Sequence, residues 1–165
     1  MVATGHTGLG VIVGVTAYKL LGQGNLATGL IITGSIGVFS HYLADSIPHG
    51  HFFATEKLKK NIGKIIIFDV FIPILFFLGV MYLKNGLNEK LLYVMFAIGG
   101  AQLPDVIDGL MYTGIIKAKG LLKFENIIHQ ALHWHGKGYK TLKIELRDIW
   151  QLVTILLAIL VTFIF

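Results

Sequence analysis

His41 and Asp45, in the run Ser40-His41-Tyr42-Leu43-Ala44-Asp45, are four residues apart, so a helix would present imidazole and carboxylate on one face. That pair can share a metal ion or close on itself as an intrahelical hydrogen bond. His49 and His51 follow, His129 and His133 repeat the four-residue step, and His6 stands near the start. Leu103-Pro104-Asp105-Val106-Ile107-Asp108 sets two carboxylates three apart, as metal ligands or as charges at a helix end. Asp69 is flanked by hydrocarbon from Ile65 to Phe68 and from Val70 to Ile72. An ionisable group inside an apolar run is costly and needs a partner. Asp69 is therefore a candidate ligand, a carboxylate orienting a metal-bound histidine, or, like Asp108, a general base. The chain has no cysteine, which excludes disulfides, thiolate zinc sites and thiol nucleophiles.

The elements that must position these groups are apolar. The chain of 165 residues is 55% hydrophobic and 14% charged, against about 25% charged in soluble domains. Disorder is excluded, and an integral membrane protein is expected. The net charge of +5 fits loops at an anionic membrane face, and no nucleic-acid-binding motif is present. Five segments are long enough to cross a bilayer core, which needs ~20 apolar residues. They run Thr4 to Gly22, Leu26 to Ala44, Ile65 to Leu83, Leu91 to Tyr112, and Ile149 to Phe165. Gly8, Gly10, Gly14, Gly29, Gly34, Gly37, Gly99 and Gly100 lie in the first, second and fourth, which should pack closely as an inner bundle. No Lys or Arg precedes the first apolar run, which disfavours reading it as a signal peptide. The expectation is a single all-α membrane domain over residues 1–165, a polytopic transmembrane helix bundle of about five spans.

With five spans, the N-terminus and the loops 45–64 and 113–148 share one side. Those loops hold eleven of the fourteen basic residues, leaving Lys19, Lys84 and Lys90 opposite. The positive-inside rule then puts the N-terminus and both loops in the cytoplasm and the C-terminus outside, in a bacterial-type cytoplasmic membrane. All seven histidines and every acid except Glu89 fall toward the cytoplasmic side. From Lys123 to His135, Phe124, Ile127, Ile128, Ala131 and Leu132 recur at helical spacing, with His129 and His133 on the opposite face. An amphipathic interfacial helix is expected there, carrying metal ligands or merely incidental histidines.

The series Gly5-His6, Ser40-His41-x-x-x-Asp45-x-Ile47-Pro48-His49, Asp69, Leu103-Pro104-Asp105, His129 and His133 resembles a family of small bacterial membrane proteins sharing an SHxxxDxxPH…LPD…H pattern. That family is in turn similar to the predicted membrane-bound metal-dependent hydrolases. The His-x-x-x-Asp step also resembles zinc-dependent phospholipase C. Gly5 departs from the usual Thr before the first histidine, and His49 follows Asp45 sooner than in the phospholipase pattern.

The residues favour a cytoplasm-facing metal site built from His6, His41, Asp45, His49, Asp105, His129 and His133. Zinc suits these ligands, as do Mn²⁺ and Fe²⁺, and their number favours two or more ions. The expected activity is metal-dependent hydrolysis of a phosphate-containing lipid or nucleotide, with Asp69 or Asp108 as general base. A metal-stabilised membrane scaffold without catalysis is the alternative. A metal or proton transporter fits less well, because the spans carry no ionisable group toward the far side except Lys19.

Overall fold

A computed structural model describes residues 3–47, 66–132 and 149–164, all of them in helices or short turns. The helices are α1 (Ala3–Leu21), α2 (Leu26–Asp45), α3 (Ile72–Asn85), α4 (Glu89–Tyr112), α5 (Leu121–Leu132) and α6 (Ile149–Ile164), and a π-helical turn, Ile66–Phe71, leads into α3. The side chains of Asn25 and Asn88 open α2 and α4 by accepting from the backbone N–H of Thr28 and Leu91, each at 3.0 Å. Pro73 in the first turn of α3 costs no helical bond, since that N–H would lack an intrahelical acceptor. Gly86 closes α3 with φ of 66°, a left-handed conformation that a side chain would resist.

The all-helical expectation holds over the described residues. Three helical segments among them are long and apolar enough to cross a membrane: Leu26–Asp45, Ile66–Lys84 and Glu89–Tyr112. α6 is apolar but has only 16 residues, and α1 is diluted by threonines, glycines and His6.

α4 is the centre of the bundle, with α1 and α2 packed along it and α6 against α1. Small residues set these approaches, as expected for the first, second and fourth apolar segments. A Cβ at Gly14 would run into the Val94 backbone, and one at Gly100 into the carbonyl of Gly34. Two of the glycines behave differently from that expectation. Gly8 accommodates Ala158 of α6 rather than the inner bundle, and Gly99 has no neighbour within 4 Å of where its Cβ would be. Around Val11, Val15, Val94 and Ile98 the core is aliphatic, closed off by Phe77, Met81, Leu91 and Ala158.

The distribution of polarity is inverted relative to a water-soluble bundle. Large apolar side chains such as Phe68, Leu75, Phe76, Leu156 and Phe163 are exposed, while His6, Thr7, His41, Asp45 and Gln102 are buried. Two buried hydroxyls of α2 are satisfied within that helix: Thr33 donates to the Gly29 carbonyl and Ser40 to that of Gly37, both at 2.7 Å. Hydrocarbon would supply no such partner, so the arrangement suits a bilayer solvent.

Candidate metal centre

α1 begins just before His6, the last turn of α2 carries His41 and Asp45, and α4 carries Asp105 and Asp108 beyond Pro104. α5 lies across the same end of the bundle, against α2 and α4, and brings His129. Four helices, α1, α2, α4 and α5, thus contribute to one polar cluster.

Asp45 is its hub. Its Oδ1 lies 3.1 Å from His6 Nε2, and its Oδ2 lies 3.0 Å from His41 Nε2 and 3.1 Å from His129 Nε2. The two latter nitrogens are 3.1 Å apart. Asp105 faces the same three histidines, its oxygens 3.7 Å from His129 Nε2 and 3.9 Å from those of His6 and His41. The rings of His6 and His41 stack with centroids 4.0 Å apart. His6, His41 and Asp45 are fully buried and His129 nearly so, whereas the Asp105 side chain is 30% exposed. The cluster therefore opens to its surroundings at Asp105.

The outward ring nitrogens explain why the inward ones converge. His41 Nδ1 donates to the Ala101 carbonyl at 2.7 Å, which turns Nε2 toward Asp45 and His129. Ala101 adjoins Gly100, whose carbonyl loses its helical donor to Pro104. His129 Nδ1 faces Asp108 Oδ2 at 3.0 Å, and Asp108 Oδ1 accepts from the Asn126 side chain at 2.7 Å. Burial disfavours charge on His129, but Asp108 and Asp45 against its two nitrogens, with Asp105 nearby, outweigh this and push its pKa up to about 10. Without a metal, the carboxylates on its two nitrogens favour the imidazolium form of His129.

His41, Asp45, Asp105 and His129 each offer a ligand atom, all within 4.8 Å of one another, so the cluster could hold a metal ion. Ligands about 2.0–2.1 Å from a tetrahedral zinc lie roughly 3.3 Å from each other. The triangle of His41 Nε2, His129 Nε2 and Asp45 Oδ2 comes close to that edge length. His6 fits the same demand. Its Nε2 faces the Asp45 carboxylate at 3.1 Å, beside the His41 and His129 nitrogens, while its Nδ1 has no hydrogen-bond partner among the described residues.

Of the expected ligands, His6, His41, Asp45, Asp105 and His129 are brought together, and Asp108 backs His129. His49 and His133 lie outside the described residues, as does His135. Asp69 lies in the π-helical turn, which packs against α1 and α3; its side chain is outside what the structure describes. Two participants were missed by the sequence reading. Glu125 Oε1 accepts from the Tyr42 hydroxyl at 2.9 Å and is 3.9 Å from His129 Nδ1. Glu125 stands four residues before His129, the spacing that singled out His41 and Asp45, and Tyr42 adjoins His41.

No protein-family model matches the chain, and no match was found among curated proteins or among solved structures.

Proposed function

We propose that this chain is a membrane-embedded metal-dependent hydrolase acting on a phosphate-containing substrate at the cytoplasmic interface. One observation carries the reading. Imidazole Nε2 atoms from three helices converge on one buried carboxylate, while the opposite nitrogens of His41 and His129 are held by Ala101 and Asp108. Such outer partners fix the ring orientation that a metal requires. His6, His41, Asp45, Asp105 and His129 would hold a divalent ion, zinc by their chemistry, with Mn²⁺ and Fe²⁺ as competitors. A second ion would draw on His49 and His133.

A bound ion would supply an activated water near pH ~7 and neutralise charge on phosphoester oxygens. The chain does the rest. Asp105, at the exposed edge of the cluster, is where substrate and water enter. Asp108 holds His129, which leaves Asp69 as the general base in this scheme. Lys117, Lys119 and Lys123 are exposed near α5 and attract an anionic head group. In this reading α1 and α6 complete a five-span topology with loops 45–64 and 113–148 in the cytoplasm, which labelling at Lys59 and Lys140 tests directly. Label reaching either from outside refutes it.

The burial of four of the five donors also suits a saturated, purely structural ion. Turnover and melting temperature, measured with and without chelator over a panel of phospholipids and nucleotides, separate the two. Hydrolysis that requires the ion supports the enzyme. Metal-dependent melting with no turnover on any substrate supports the scaffold.

A further inference from the structure

α5 is amphipathic in the reverse sense to a helix on a soluble protein. Its inward face carries Glu125, Asn126 and His129, and its outward face carries Leu121, Phe124 and Ile127, exposed by 81%, 60% and 56%. His129 is the only buried side chain among those described in this helix. Its links to the bundle are polar: Tyr42 to Glu125 at 2.9 Å, Asn126 to Asp108 at 2.7 Å, and His129 to Asp45 at 3.1 Å. Among its described residues Leu122, Ile128 and Leu132 are only partly buried, so no fully buried hydrocarbon fastens α5 in place.

The outward face needs an apolar partner, and its position identifies one. α5 has 12 residues, about 18 Å, too short for a bilayer core of about 30 Å. It follows the candidate span Glu89–Tyr112 after only Thr113 to Gly120, so it lies at the level where that span would leave the bilayer. Lys117, Lys119 and Lys123 are exposed beside the apolar face, the pattern of a helix lying in an anionic interface.

We infer that α5 docks on an anionic bilayer surface through Leu121, Phe124 and Ile127, and that this docking delivers His129 to the metal centre. The delivery rests on the metal-binding reading above; the docking does not. The helix is a clamp whose outer face is held by lipid and whose inner face closes the ligand set. Phe124 and Ile127 act on the metal through α5 alone, because they face away from the cluster.

The test uses the full-length chain in lipid nanodiscs, with zinc as the metal probe. Ile127→Cys in this cysteine-free protein accepts a single fluorophore. A bilayer-embedded quencher should reach it and a water-soluble quencher should not. Phe124→Glu should move the label toward water and weaken zinc binding by about 10-fold or more, while the helical content is unchanged. Should Phe124→Glu fail to fold, the combined Lys117→Gln, Lys119→Gln and Lys123→Gln variant should lose label protection and zinc affinity in anionic discs, falling to wild-type behaviour in zwitterionic ones. A wild-type label open to water, or one that cross-links to a second copy, overturns the docking. Unchanged zinc affinity with a displaced label overturns the delivery. A lipid-protected label on a wild-type protein that binds no zinc refutes the metal reading and the delivery with it, while supporting the docking.

Discussion

Asp108→Asn is the sharpest probe of how the centre is held. The carboxylate has two tasks: Oδ2 faces His129 Nδ1 at 3.0 Å, and Oδ1 accepts from Asn126 at 2.7 Å. The asparagine keeps the volume but has one acceptor oxygen. If that oxygen stays with Asn126, the new amide points N–H groups at His129 Nδ1. The ring then favours the tautomer with its proton on Nε2, the atom that would bind a metal. Loss of such an outer partner typically weakens metal binding 10–100-fold, or about 1.4–2.7 kcal/mol. Competition titration of zinc against a chromophoric chelator, with protein in detergent or nanodiscs, measures this. Glu89→Gln, at the opposite end of α4, is the control and should bind as wild type. A dissociation constant for Asp108→Asn within twofold of wild type would refute the orienting role.

Asp45→Asn and His41→Ala should each abolish stoichiometric zinc, because Asp45 touches all three histidines; elemental analysis of purified protein reads this directly. Zinc affinity should rise with pH. His129 holds its proton up to about pH 10 without metal, so each pH unit below that costs about 10-fold per displaced proton, and titrations at pH 6, 7 and 8 give the slope. A flat profile would remove His129 from the ligand set. Gly100→Ala should destabilise by about 1–3 kcal/mol in thermal melts and weaken zinc, since its methyl pushes α2 away by the Gly34 carbonyl. Gly99→Ala, with nothing within 4 Å, should be neutral or slightly stabilising, and equal effects of the two would contradict this packing.

The site was legible because its chemistry is concentrated at one end of the apolar segments. Histidine and aspartate are scarce in hydrocarbon-rich helices, so their shared depth in α1, α2 and α4 marked them before any packing was known. The spacing of His41 and Asp45 fixed their common face. Spacing cannot say what stands behind a ring. The Ala101 carbonyl is a backbone group, available only because α4 passes α2 at the glycine contacts, and no residue type announces it. Asp108 looked equally able to be a ligand or a base, and only the placement of α5 puts it against His129. Glycine counting likewise located the inner bundle but could not separate Gly100, in contact with α2, from Gly99, which faces away.

The cluster joins residues far apart in the order of synthesis. His129 meets Asp45 across a separation of 84 residues. At about 5–20 residues per second, the ribosome takes roughly 4–17 s to cover that interval. Until its end, α2 exists with only the earlier His6 and His41 to answer its carboxylate, and His129 is still missing. A charge left alone in mid-bilayer for that time would oppose insertion of its own helix. Asp45 is instead the last residue of α2, where water can hydrate it until the later helices arrive. In the five-span reading, the position of the centre at the end of the bundle lets α2 insert before its ligand set is complete, independent of what the centre does once made.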